Sequence, residues 1–325
     1  MRRRAAATAI LVCAIVALAP AAFAMTSGAI LRASPYEYFG WGRPPRVTHV
    51  MAATGVRAFT LAFVLSDGTC NPKWDGERPL KGGSDQAAIR RIRAAGGDVV
   101  ASFGGWSGAK LGERCTTPED LAGAYEKVID AYRLKAIDID IEHTEIASAA
   151  VRQRVIDALT LVRAHGAPGH RVAISITIGT GLHGPEGPEL DLIHRAAASG
   201  LRVRVWTIMP FDFGSPVADM GHASITASEG LKRRLMAAFG LSPREAYHRM
   251  GISSMNGATD EADETVTLAD FRAIRAYAHR HHLARFTFWA ANRDRSCGPH
   301  DDADSCSGLT QEPLAFTKVI ARYHG

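Results

Sequence analysis

The sequence carries almost no excess of charge. Of its 325 residues, 38 are Lys or Arg and 33 are Asp or Glu, a net charge of +5. Arg2, Arg3 and Arg4 account for three of those five charges and leave two for the rest of the chain. Such a balance has no electrostatic footprint for nucleic acid, and no nucleic-acid partner is expected. After residue 24 no apolar run approaches the roughly 20 residues that a membrane span needs, so no membrane partner is expected of the processed chain. C-x-x-C and H-E-x-x-H are both absent. That removes the usual zinc spacings, and neither a metal nor a cofactor is expected. Low-complexity tracts and internal repeats are missing as well. An apolar content of 46% with 22% charged residues excludes a disordered chain, which would bury too little surface to offset its conformational entropy.

Acids are also missing from residues 1–24. Arg2, Arg3 and Arg4 are followed by an apolar run, then by Pro20 and the small-x-small triplet Ala22-Phe23-Ala24. A basic start, an apolar core and a small-residue site describe a secretory signal cleaved near Ala24. A membrane anchor is the other reading, but the run is shorter than a span. Cys13 within it, preceded by Val12, is poor context for lipid attachment. The expected organisation is a signal over 1–24 and one catalytic domain over 25–325, secreted and acting as a monomer. Four cysteines remain beyond the signal, an even number, which in an exported chain reads as disulfides. Cys297 and Cys306 lie close together in a polar loop and are expected to pair, which leaves Cys70 for Cys115. Free buried thiols are the alternative.

Short β-rich runs recur at 58–64, 99–103, 136–142, 172–178, 203–208, 250–254 and 285–289, with a less clear eighth near 28–39. Helical stretches between them include 85–95, 118–133, 148–165, 268–281 and 311–323. Within 148–165, Val151, Val155, Leu159 and Val162 fall at helical spacing. Alternation of strand and helix means a parallel sheet. Eight such units in about 300 residues fit a single (β/α)8 barrel, an α/β fold; an open doubly wound sheet is the runner-up.

The informative stretch is Ile137-Asp138-Ile139-Asp140-Ile141-Glu142. Strand side chains alternate between faces, so the three acids point one way and the three isoleucines the other. Isoleucines suit the helix layer of a barrel. The acids would then line its interior and rise towards the C-terminal mouth, where such barrels keep their active sites. Carboxylates this close cannot all ionise cheaply, so at least one should hold a proton near neutrality. A protonated carboxyl beside ionised ones is what glycosidic cleavage needs.

Here the sequence resembles glycoside hydrolase family 18, the chitinase family. The family fingerprint D-x-x-D-x-D-x-E is read here as Lys135 to Glu142. Ala101-Ser102-Phe103-Gly104-Gly105 fits the family's S-x-G-G, and Met209-Pro210-Phe211-Asp212 stands where it has M-x-Y-D. Trp289 stands where the family has a Trp under the reactive sugar. Thr60-Leu61-Ala62-Phe63 and Phe288 to Asp294 look like one bacterial chitinase branch. The resemblance covers roughly residues 30 to 323. It implies cleavage of β-1,4 bonds between N-acetylglucosamine units of chitin or its oligosaccharides, by a retaining mechanism in which the sugar's own acetamido oxygen attacks. On that resemblance Glu142 is the acid and later the base, Asp140 orients the acetamide, and Asp138 shares a proton with Asp140. Asp212 hydrogen-bonds the sugar, Trp289 is its floor, and Met209, Phe211, Gly104, Gly105 and Trp106 belong to the substrate site.

The sequence departs from the family at several points. Lys135 replaces the first Asp, but on strict alternation it faces away from the row. Phe211 replaces a Tyr whose hydroxyl holds the acetamido oxygen, which puts that contact in doubt. Ser253 to Gly257 with Asp260 is a weakened form of a branch motif. Other features read as structural. Gly179 to Gly184 spells G-x-G-x-x-G after a strand, but Pro185 and Pro188 follow where a dinucleotide fold opens a helix. His279, His281 and His282 suit a solvated helix end. Gly105 to Gly108 lacks the last glycine of a nucleophile elbow. Trp41, Trp74 and Trp106 can each stack on a sugar or pack in the core, with Trp106 the best groove candidate. Two other functions fit the acids less well: a sugar-binding barrel without turnover, and an endo-N-acetylglucosaminidase acting on glycoprotein glycans.

Overall fold

Runs of β-branched and aromatic residues, each bounded by polar loops, form eight parallel strands. The computed structural model describes residues 25–166, 171–214 and 216–325; the export signal expected over 1–24, Cys13 included, lies outside the described residues. The strands are β1 (Tyr36–Tyr38), β2 (Ala58–Ser66), β3 (Asp98–Gly104), β4 (Ala136–Asp140), β5 (Ala173–Gly179), β6 (Val205–Met209), β7 (Met250–Met255) and β8 (Arg285–Trp289). Each pairs in parallel with the next in chain order. Side chains bridge the seam between β8 and β1. Thr287 Oγ1 donates to the Ser34 carbonyl at 2.5 Å, and the Asn292 amide accepts from Tyr38 N–H and donates to the Tyr38 carbonyl. The architecture is the expected (β/α)8 barrel, not an open sheet.

The isoleucines of β4 explain why this strand sits as it does. Ile137, Ile139 and the following Ile141 are buried in one apolar cluster with Val155, Leu159 and Val162 of the helix Ala149–His165. Burying those side chains commits the alternate positions to the barrel interior. Helices Ser84–Ala94, Pro118–Tyr132 and Leu268–Arg280 also lie within one residue of their expected limits. Thr117 and Thr267 start the last two by accepting from the N–H groups of Asp120 and Asp270, as N-cap residues do.

Three expectations need correction. Residues 28–39 are not one strand: Ser27–Arg32 is a helix capped by Thr26, and only Tyr36–Tyr38 is strand. Ile30 and Leu31 of that helix pack on Ala58, Val100, Ala136, Ala173 and Val205, at or near the starts of their strands, and close the barrel's foot. A short apolar run cannot tell a strand from a buried helix. The last helix covers Ala315–Ile320, not 311–323, because Asp294 captures the N–H groups of Phe316 and Thr317 and fixes its start. A helix does open after the G-x-G-x-x-G stretch, at Gly187–Ser199, with Pro188 in its first turn, where proline is well tolerated. The glycines serve packing: a Cβ on Gly184 would lie 2.6 Å from the Gly230 backbone of the helix Met220–Phe239.

Candidate active site

The acidic row begins at the barrel's foot with Asp138, which is fully buried. Its Oδ2 accepts from Tyr36 Oη at 2.6 Å and Ser102 Oγ at 2.8 Å. Its Oδ1 accepts from Thr177 Oγ1 at 2.8 Å and Arg285 Nη1 at 2.7 Å. Burial alone would raise its pKa. The Arg285 charge and the three hydroxyls outweigh burial and hold the carboxyl below its ordinary value. Asp140, two residues on, is in the opposite condition. It is buried, its Oδ1 has no partner, and burial with the charges of Glu142 and Asp138 pushes its pKa well up. Of the Asp138 and Asp140 pair, the proton therefore rests on Asp140. Lys135 lies away from the row and pairs with Asp98 at 3.0 Å.

Glu142 sits just past the end of β4, where Ile141 N–H still bonds the Thr177 carbonyl and a short helix begins at His143. Burial raises its pKa to about 7; Lys110 opposes the rise, and Asp212 and Asp260 add to it. Lys110 is buried between the acids and the loop after β3, and its ammonium donates to the carbonyls of Gly105 and Ser107. Glu145, behind Glu142, accepts from Gly112 N–H at 3.2 Å and is likewise raised by burial to about 7.

The row opens into a cleft of about 750 Å³, the size of a small-molecule site. Asp140, Glu142, Met209, Phe211, Asp212, Trp106 and Trp289 all line it. The rings of Tyr38 and Phe63 stack against Trp289, with centres 4.8 and 5.4 Å away. Behind it Asn256 accepts from Ala290 N–H and donates its own N–H to the Trp289 carbonyl. Trp106 is 63% exposed and stacks on His143. Trp41 also lines the cleft, whereas Trp74 is core, with its indole N–H on Tyr132 Oη. Asp212 Oδ1 accepts from the N–H groups of Asp260 and Glu261, and Glu264 holds the Asp212 and Phe213 N–H groups from below.

Gly104 and Gly105, expected among the substrate contacts, are buried and do not line the cleft. Both have positive φ, and a Cβ would meet the Asp140 carbonyl at 2.1 Å or the Phe63 ring at 2.5 Å. They let the strand end pass close to Asp140. Asp138 is also behind the wall and reaches the cleft only through its neighbours. The cysteines form two bridges, Cys70–Cys115 and Cys297–Cys306. Among the described residues no group of His, Cys, Asp and Glu could hold a metal ion.

Tyr36, Lys110, Glu145, Glu264 and Arg285 went unnoticed in the sequence. For Arg285 a signal existed: residues 285, 287 and 289 share a strand face, so a cleft-lining Trp289 implies an inward Arg285. Lys110 and Glu264 stand in loops, where no periodicity reports facing.

The arrangement presents one carboxyl that titrates near neutrality beside a second that keeps its proton, over an aromatic floor. That suits proton delivery to a leaving oxygen. Comparison with known proteins agrees. No family profile matches the chain. It is 28% identical over 312 residues to a probable bifunctional chitinase/lysozyme of Escherichia coli, covering 89% of this chain but 34% of that protein; this chain spans about a third of that relative. The catalytic domain of a hyperthermophilic chitinase from Pyrococcus furiosus superposes with a TM-score of 0.79 at 27% identity, over 89% of this chain and 93% of that one. A family 18 chitinase from Pseudoalteromonas aurantia shares the fold at 15% identity and a TM-score of 0.54, over 78% of this chain and 93% of that one. In barrel, acidic row and sequence the chain is thus similar to these chitinases.

Proposed function

We propose that this protein hydrolyses β-1,4 bonds between N-acetylglucosamine units, in chitin or its oligosaccharides, by a retaining, substrate-assisted mechanism. The observation that carries the reading is Glu142: a carboxyl raised to about 7 by burial, at the end of an acidic strand, facing a cleft that Trp289 also lines. Glu142 protonates the leaving oxygen and later takes a proton from water. The acetamido oxygen attacks the anomeric carbon in place of a side chain, an accepted exception to the two-carboxylate displacement. Asp140, protonated and with an oxygen free of other partners, orients the acetamide. Asp212 meets the sugar at the cleavage point, and Trp289 supports its apolar face. Glu142 must be protonated to act, so activity falls as pH rises through about 7.

We also propose that the protein works outside the cytoplasm, where two disulfides persist and where the signal-like segment 1–24 would send it. One observation favours a second reading, a sugar-binding barrel without turnover: Phe211 lines the cleft and has no hydroxyl to offer an acetamido oxygen.

The test is mass spectrometry of products after incubating N-acetylglucosamine hexamer with the native protein and with Glu142→Gln. Shorter oligomers from the native protein alone support the reading, and their lengths distinguish endo from exo attack. Shorter oligomers from both remove Glu142 as the acid. An intact hexamer in both favours the binding reading, or an enzyme acting on other glycans.

A further inference from the structure

The Arg285 side chain is fully buried at the start of β8. It lies under the acidic row, not in the cleft. Besides its 2.7 Å bond to Asp138, Nη1 reaches Ser175 Oγ at 3.0 Å, and Nη2 donates to Thr60 Oγ1 at 2.9 Å. The guanidinium carbon stands 5.3 Å from the centre of the Tyr36 ring. An arginine cannot lose its proton in a protein, so a full positive charge is sealed into the foot of the barrel.

We propose that Arg285 is a positioning residue of the acidic row: it holds Asp138 as the anion and thereby confines the row's proton to Asp140 and Glu142 at the mouth. This rests on reading the row as the catalyst. The argument is a count of lone pairs. A carboxylate has about four acceptor sites. On Asp138 all four are taken, by Tyr36, Ser102, Thr177 and Arg285. A proton could bind there only by displacing one of these donors, and the Arg285 charge opposes it. Asp140 has an oxygen without a partner, so the proton goes there at little cost.

The groups facing the row from each side are consistent with this assignment. Tyr36 comes from β1, Lys110 from the loop after β3, Asp212 from the end of β6 and Asp260 from the loop after β7. Thr60, Ser102, Ser175, Thr177 and Thr207, from β2, β3, β5 and β6, are neutral hydroxyls. Arg285 is thus the only cation among the described residues that bonds to Asp138, while Lys110 acts on Asp140, Glu142 and Glu145 above. The directions of the shifts agree: Asp138 is held down and Asp140 and Glu142 up. In catalysis, when Asp140 hydrogen-bonds the substrate, Asp138 remains charged in a dry interior. Arg285 keeps that state accessible, a fixed countercharge of the kind that electrostatic preorganisation requires.

The first test uses the native protein. Carboxyl carbons labelled with carbon-13 are titrated by NMR with the hexamer absent. As pH falls, Asp140 is expected to take up its proton before Asp138 does. Asp138 taking a proton before Asp140 overturns the proposal. The second test compares the pH dependence of kcat on the hexamer for native, Arg285→Met and Arg285→Lys proteins, with melting curves to establish folding. Removing the charge is expected to move the acid limb up by about 1–3 pH units, the usual effect of an adjacent arginine on a carboxyl. KM is expected to change little, and Arg285→Lys to restore the limb. A folded Arg285→Met whose kcat is lowered equally at all pH values, with the limb unmoved, shows a merely structural arginine. Should that variant not fold, the NMR titration decides alone. An inactive native protein with the expected titration would refute the chitinase reading and leave the charge assignment standing.

Discussion

The foot of the barrel and its mouth hold carboxyls of the same short segment in opposite states. At the foot, Asp138 has four donors and a buried arginine. At the mouth, Asp140 has an oxygen with no partner, and Glu142 is raised to about 7. At the foot every acceptor site on Asp138 is satisfied, although Arg285 Nε has no partner, and Ile30 and Leu31 seal it from water. The mouth leaves polar groups unsatisfied until a ligand supplies partners, and its loops are stapled covalently instead. Cys70 and Cys115 tie the loop after β2 to the loop after β3, and Cys297–Cys306 closes the loop after β8. Functional residues cost stability where they stand, and the difference between the two ends can be measured.

The most severe way to break the comparison is Asp138→Ala. It strands Arg285 as an unpaired buried charge, and loss of one partner of such a pair costs about 3–5 kcal/mol. Urea denaturation of the variant is expected to show a loss of this size; a loss under 1 kcal/mol would mean that water reaches the foot. Next is the staple. Chain-entropy arguments give about 4 kcal/mol for a bridge of sequence separation 45, as in Cys70–Cys115, and about 2.5 kcal/mol for a separation of 9, as in Cys297–Cys306. Double alanine variants of each pair, melted side by side, are expected to rank in that order. The reverse order would show that strain or native contacts outweigh loop length.

Glu142→Gln sharpens the contrast, because here removal of a charge should stabilise. A carboxyl whose folded pKa lies above its unfolded value binds its proton more tightly when folded. Its contribution is present below about 4.5 and is lost as pH rises through about 7. Glutamine never pays that cost. The variant is therefore expected to melt higher than the native protein at pH 8, by at most about 3 kcal/mol of stability, and at the same temperature near pH 4. Equal melting at pH 8 would mean that Glu142 is better hydrated than its burial implies. Last and smallest is Tyr36→Phe, which deletes one of the four donors on Asp138. A hydrogen bond to a charged group contributes about 1.5–3 kcal/mol, and with three donors left the low end is expected. Chemical denaturation checks it, and a neutral result would mean that Ser102 and Thr177 take up the slack.

Much of this molecule was legible in one dimension. The alternation of Ile137 to Glu142 named both faces of β4, because a side-chain period of two and a partition between oil and water leave one arrangement. The even count and spacing of the cysteines yielded both bridges. The eighth strand was half misread because Ala29-Ile30-Leu31 is too short to carry a period. The helix at Gly187 was missed because Pro188 looked like a breaker and is instead a first-turn residue.

Sequence alone determined the barrel and the acidic row, since these follow from local periodicity and residue chemistry, whereas the aromatic at the mouth was read from the family resemblance. Which acid is an anion and which holds the proton was decided only by tertiary structure. Tyr36, Ser102, Thr177 and Arg285 come from four strands separated by up to 249 positions along the chain, and only closure of the barrel brings them to Asp138. Protonation depends on the dielectric, the donors and the charges within a few ångströms, and none of these is a property of a residue's neighbours in sequence.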